Sequence, residues 1–233
     1  MSSPIIVALD FNNSSSAFEF LDKIQNQPCR VKIGKELFTR SGPRMVEQVV
    51  QRGFDVFLDL KFHDIPNTVA GAVAAAADLG VWMLNVHASG GLAMMEQAQA
   101  ALGSAGDKRP LLVAVTVLTS LAAADLSQLG IADDPQQQVL RLARLARDAG
   151  LDGVVCSAAE TVALRSELGG DFCLVTPGIR RQQDASGDQK RVVGPRQAIA
   201  DGSNYLVVGR PITQADDPVA ALQEFHSAIT GVS

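Results

Sequence analysis

Eight short runs of β-branched and aliphatic residues recur along the chain, each separated from the next by a stretch with helical periodicity. They fall at 5–9, 30–33, 55–58, 82–86, 111–115, 153–156, 173–175 and 205–208. Strands that alternate with helices pair in parallel, because each helix carries the chain back to the same end of the sheet. Eight such units in 233 residues predict a closed (β/α)8 barrel, an α/β TIM barrel, with residues 1–233 as a single domain. The rival is an open doubly wound sheet, which usually carries a glycine-rich turn after its first strand. Here the first run ends Leu9-Asp10-Phe11-Asn12-Asn13, which favours the barrel. Helices are expected at 41–52, 68–79, 92–102 and 135–149, the first opened by Ser41 as a cap. Gly53, Gly80 and Gly150 stand where a helix C-terminus favours glycine.

Composition narrows the classes of function. Hydrophobic residues make up 47% of the chain, enough for a substantial core. A net charge of −5 argues against a general nucleic-acid binder, yet leaves room for a local basic pocket. Cys29, Cys156 and Cys173 are odd in number and far apart, so neither a disulfide framework nor a zinc site is expected. The first apolar run lacks a basic segment before it and does not read as a signal peptide. No stretch of about 18 apolar residues occurs, so no membrane span is expected, and the chain reads as soluble and cytoplasmic.

Catalytic groups of a barrel sit where strands end and βα loops begin. The runs here deliver Asp10, Lys32, Asp59, Lys61, Asp64, His87, Thr116, Thr119, Arg180 and Arg210 to such ends. Asp59 and Lys61 are two apart, so an extended chain sends both to one face. Asp64 follows in the loop, and Pro66 favours the turn into the next helix. Two unit charges about 4 Å apart interact by roughly 4 kcal/mol at an effective dielectric near 20. Flanking carboxylates therefore favour a lysine that is a cation and proton donor, whereas a Schiff-base lysine must be a free amine. A ring of structural salt bridges is the plainer reading of the same charges.

Barrels often hold phosphate in the loops after strands seven and eight. This chain has Pro177-Gly178-Ile179-Arg180 after one and Gly209-Arg210 after the other, pairing close backbone approach with a planar guanidinium. The segment 181–191 is polar and follows strand seven, as a solvated loop or a lid would. A second long connection covers 120–134. His63, His87 and His226 show no metal-ligand spacing, and no dinucleotide or Walker fingerprint occurs, so neither a metal nor a cofactor is expected.

The run Asp59-Leu60-Lys61-Phe62-His63-Asp64-Ile65-Pro66-Asn67-Thr68 resembles the signature of the orotidine 5'-monophosphate decarboxylase family. The neighbouring VALD ending at Asp10, VKIG around Lys32, TVLTS around Thr119, TPGIR ending at Arg180 and VVGRPIT around Arg210 agree, in family order along nearly the whole chain. The resemblance implies a cofactor-free enzyme that turns orotidine 5'-monophosphate into uridine 5'-monophosphate, the last step of UMP synthesis. It implies that Asp10 and Lys32 hold the ribose hydroxyls and that Asp59 lies beside the substrate carboxylate. Lys61 would deliver a proton to C6, and Thr119 would lie by the pyrimidine. Gln189 would bridge phosphate and base from a lid, and Arg180, Gly209 and Arg210 would grip the phosphate. Asp64 and Thr68 would reach into the partner's pocket of a homodimer.

Two alternatives remain open on sequence. Magnesium-dependent sugar-phosphate decarboxylases and synthases of the same superfamily share a similar strand-three run, but hold their metal partly through an acid on strand two, where this chain has Lys32. A non-catalytic nucleotide-binding barrel would need a degraded strand-three cluster, and Asp59, Lys61 and Asp64 are all present.

Overall fold

The computed structural model describes residues 3–103, 106, 109–132, 134–181, 184 and 193–231. Its strands are β1 (Ile5–Ala8), β2 (Arg30–Gly34), β3 (Val56–Phe62), β4 (Met83–His87), β5 (Leu111–Val115), β6 (Gly153–Val155), β7 (Cys173–Pro177) and β8 (Tyr205–Val208). Each pairs in parallel with the next, and β8 returns to β1 through Ile5↔Leu206 and Val7↔Val208. The sheet is thus a closed (β/α)8 barrel, and the open doubly wound alternative is excluded.

Around it run α1 (Ser14–Ile24), α2 (Lys35–Ser41), α3 (Pro43–Gln51), α4 (Pro66–Asp78), α5 (Leu92–Ala100) and α6 (Ala123–Gln128). They are followed by α7 (Pro135–Asp148), α8 (Thr161–Leu168), α9 (Pro195–Ala200), α10 (Arg210–Thr213) and α11 (Pro218–Thr230). The strands read as near-continuous apolar runs because both faces are buried. Ile5, Val7, Val31, Ile33, Leu84 and Val86 pack outward against helix residues such as Leu21, Val46, Val73 and Leu222. Ile6, Ala8, Phe57, Met83, Val113, Val175 and Val207 alternate with them and form a separate cluster inside the barrel.

Two local expectations are corrected. Ser41 does not open a helix: it is the last residue of α2, Gly42 turns the chain with φ 70°, and Pro43 starts α3. Proline suits that place because the first N–H groups of a helix have no internal partner to lose. Strand three does not stop at 58. It continues to Phe62, but its register against β4 shifts between Leu58 and Phe62, and Lys61 has φ 53°. The plain alternation expected to place Asp59 and Lys61 on one face is therefore broken by a bulge with a left-handed lysine.

The N-terminal end of the barrel is closed by an aromatic stack around a cation. Arg30, the first residue of β2, has its guanidinium 4.3 Å from the Trp82 ring centroid and 5.1 Å from that of Tyr205. The two rings meet edge to face at 4.9 Å. Arg30 also donates from Nη1 to the Ser3 carbonyl and pairs through Nε with Asp55 at 3.3 Å. This plug leaves the opposite end, where the strands finish, as the open one.

Candidate active site

β1, β2 and β3 bring four charged groups together at the C-terminal end of the barrel. Lys32 Nζ lies 3.3 Å from both Asp10 Oδ1 and Asp59 Oδ2, and Lys61 Nζ lies 2.5 Å from Asp59 Oδ1. The order Asp10–Lys32–Asp59–Lys61 alternates in sign, so each interior charge has an opposite neighbour on either side. Room for the first link depends on Gly34: a Cβ there would stand 3.2 Å from Lys32 Nζ. Asp10 is largely exposed, whereas the side chains of Lys32, Asp59 and Lys61 keep 11%, 13% and 24% of their surface. At such burial a lone charge would be costly, and the pairing offsets the lost hydration.

Asp59 is the hub. Burial pushes its carboxyl up, but the nearby charges of Lys32 and Lys61, with hydrogen bonds from Lys61 and Asn85, outweigh it and hold it below the ordinary 3.8. The Asn85 contact was not foreseen. This fully buried asparagine on β4 donates from Nδ2 to Asp59 Oδ1 at 2.8 Å and accepts the Lys61 backbone N–H at 2.8 Å. An asparagine amid the aliphatic run of strand four was the available signal, because a polar side chain so placed must find partners.

Lys32, Asp59 and Lys61 also line a cavity of about 200 Å³ that opens to solvent at the strand ends. Its walls include Val115, Thr119, Val155 and Pro177, and Phe57 and Val207, which belong to the interior cluster, form its floor. The cavity has one charged side and otherwise apolar walls, the kind of lining that recognises a small organic ligand through a few placed polar groups. Asp10, Gly34 and Lys35 line an adjoining depression that shares Lys32, Asp59 and Lys61. Thr119 therefore sits on the same cavity as Lys61.

Arg180, Gly209 and Arg210 follow β7 and β8. Gly178 turns the chain after β7 with φ 81°. Ile179 then bridges Val193, and the Arg180 N–H reaches the Val193 carbonyl at 3.4 Å, tying together the two ends of the polar connection. Arg181 anchors its near end by pairing with Asp184 and with Glu224 of α11. A Cβ on Gly209 would lie 3.6 Å from Asp10 Oδ2, which places the end of β8 beside the charged row. Gln189 lies outside the described residues.

Asp64 and Thr68 do not join the cluster within one chain. Asp64 is exposed, and its Oδ1 accepts the Ile65 N–H at 2.6 Å. Thr68 is exposed on the first turn of α4, beside Ile65, which keeps 67% of its surface. Lys61 thus has one carboxylate partner, Asp59, rather than the several expected among the described residues of its own chain.

The three cysteines are free, and burial pushes each thiol up to about 12. His63 and His87, scattered in sequence, meet at a tilt of 40° with ring centroids 5.6 Å apart. Burial, then the positive neighbours His63, Lys35 and Lys61, bring His87 down to about 4 despite the opposing pull of Asp59, which leaves it neutral at pH 7. His226 Nε2 meets the Pro28 carbonyl at 2.8 Å, a packing role far from the cavity. Among the described residues, no three or more His, Cys, Asp or Glu side chains gather as a set of metal ligands. No helix among them is long and apolar enough to cross a membrane.

Residues 3–225 match the model of a family described as orotidine 5'-phosphate decarboxylase / HUMPS. The chain is 58% identical over 228 residues to an orotidine 5'-phosphate decarboxylase of Pseudoalteromonas translucida, covering 98% of this chain and 97% of that one. It is 59% identical over 228 residues to one of Chromobacterium violaceum, covering 98% and 92%. Its fold superposes on the crystal structure of orotidine 5'-phosphate decarboxylase from Lactobacillus acidophilus with a TM-score of 0.88 at 40% identity, over 97% of this chain and 98% of that one.

Proposed function

The chain belongs to the orotidine 5'-phosphate decarboxylase / HUMPS family and is a carboxy-lyase, and we propose that Lys61 supplies the proton that replaces the departing carboxylate. The reaction converts orotidine 5'-monophosphate to uridine 5'-monophosphate. The C6–carboxylate bond breaks, its electron pair stays on C6, carbon dioxide leaves, and a proton arrives at C6. The electron pair has little delocalisation into the ring, so a positive group already in place is the largest available stabilisation. Lys61 is such a group. The observation that carries the reading is its 2.5 Å contact with Asp59 on the wall of the cavity. After transfer, the resulting amine takes a proton back from water.

In this reading Asp59 lies beside the substrate carboxylate, where like charges oppose each other in the ground state. Asp10 and Lys32 hold the ribose hydroxyls, and Thr119 borders the pyrimidine. Arg180, Gly209 and Arg210 take the phosphate, and Gln189 bridges it to the base. Binding energy at the phosphate, remote from C6, then aligns the ring. Asp64 and Thr68 serve the pocket of a second copy in a homodimer, a role supported by their exposure beside Ile65. The enzyme works in the cytoplasm with residues 1–233 as one barrel domain.

The test follows the absorbance of orotidine 5'-monophosphate with purified protein and a chelator present. Turnover should persist with chelator and fall by at least about a thousandfold in Lys61→Ala, the scale on which loss of a charge-stabilising group acts. Substantial turnover by Lys61→Ala overturns the assignment of the proton donor. Loss of activity on chelation favours the metal-dependent relatives instead.

A further inference from the structure

Resting on the assignment of Asp59 and Lys61 to the chemistry, we infer that Asn85 is the positioning residue that fixes both of them through the two ends of its amide. The β3 ladder to β4 breaks between Leu58 and Phe62, and Lys61 within that break is the sole non-glycine residue with positive φ among those described. Left-handed backbone costs an ordinary L-residue roughly 1–2 kcal/mol, so something must hold it there. Asn85 does so from the neighbouring strand. Its Oδ1 takes the Lys61 N–H, and its Nδ2 donates to the same Asp59 oxygen that Lys61 Nζ contacts.

The identity of the side chain follows from its partners. A backbone N–H can only donate, and an ionised carboxylate can only accept. The bridging group must therefore offer one acceptor and one donor on a short planar fork, which asparagine does. The same demand fixes which way round the amide sits. Leucine matches the volume and supplies neither contact. Serine supplies one hydroxyl and cannot span both. Asn85 has no surface of its own and does not line the cavity, so its effect on the reaction passes through the two residues it holds.

A merely structural asparagine would pin the bulge for stability and leave turnover per folded molecule alone. The full-length enzyme with Asn85→Leu and with Asn85→Ser separates the two roles, measured beside Lys61→Ala. Each Asn85 variant that folds should lose about 10- to 100-fold in kcat, as the loss of a hydrogen bond to a charged group implies, with KM within about threefold. In the unsubstituted enzyme, hydrogen–deuterium exchange should show the Lys61 N–H strongly protected, a measurement that needs no variant to fold. An unchanged kcat, a loss confined to KM, or a Lys61 N–H that exchanges like a free peptide overturns the role of Asn85. If Lys61→Ala loses turnover while the Asn85 variants keep it, this inference alone fails. If Lys61→Ala keeps turnover, the assignment of Lys61 itself has failed.

Discussion

Replacing Arg30 by methionine should destabilise the protein markedly and leave its chemistry almost untouched. The substitution keeps an unbranched side chain of similar reach and removes the charge. It deletes the hydrogen bond to the Ser3 carbonyl, worth about 1.5–3 kcal/mol for a charged donor. It also deletes the contacts with Trp82 and Tyr205, together about 0.5–2 kcal/mol. The pair with Asp55 adds little, because that carboxylate keeps 53% of its surface and stays hydrated when its partner goes. Methionine packing against the two rings recovers part of the loss, so the net cost is about 2–4 kcal/mol. For a chain of this size each kcal/mol moves Tm by about 2–4 °C, which places the expected fall at roughly 5–15 °C. Phe57 and Val207 lie between the plug and the cavity, so kcat at 25 °C should stay within about twofold, as expected for the stability end of a barrel. Thermal unfolding and initial rates on the same preparation check both halves. A Tm within 2 °C of the parent would refute the energetic reading of the stack. A large loss of kcat would refute the separation of the barrel's two ends.

Two further outcomes test the charged row and the second copy. Asp59 ionises more readily in the folded chain than its ordinary value of 3.8. Its contribution to stability is therefore complete above that value and is lost as pH falls through the lowered folded one. Tm of the parent should drop more steeply than that of Asp59→Asn as pH falls below about 4, and parallel curves would count against the ion pairs. Mixing Lys61→Ala chains with Asp64→Ala chains should restore activity through one intact hybrid pocket. Verified subunit exchange with no recovery would remove Asp64 from the partner's site.

Much of the architecture was legible because its causes are local. A strand buried on both faces must be apolar throughout, and the helices between strands carry glycine just past their ends, as Gly53, Gly80 and Gly150 do with φ of 88°, 75° and 76°. The charged row was legible for a different reason: Asp10 and Asp59 each follow an apolar run, Lys32 interrupts β2, Lys61 lies near the end of β3, and a barrel gathers the ends of its strands. What escaped depends on neighbours remote in sequence. The left-handed turn at Lys61 cannot be read from lysine, which has no preference for it. The pairing of Asn85 with residues 24 and 26 positions earlier needs the β3–β4 register. His63 and His87 looked unrelated until the ends of the same two strands brought their rings within 5.6 Å at a 40° tilt. Ser41 misled because serine suits a helix start, while the Gly42-Pro43 pair beside it was the stronger signal. The solitary carboxylate beside Lys61 follows from the chain alone, since Asp64 bonds its own loop.

The positive φ of Lys61 sets local ease of folding against the identity of one side chain. Glycine at that site would relieve a backbone cost of about 1 kcal/mol. A laboratory screen that rewards heat resistance alone gains that relief, loses the pair with Asp59, and is blind to whether the amine we assign to the proton transfer is still there. Directed evolution of this barrel for thermostability should hold position 61 fixed, or score growth without pyrimidines alongside survival, so that variants with a calmer strand three and no catalysis are not mistaken for improvements.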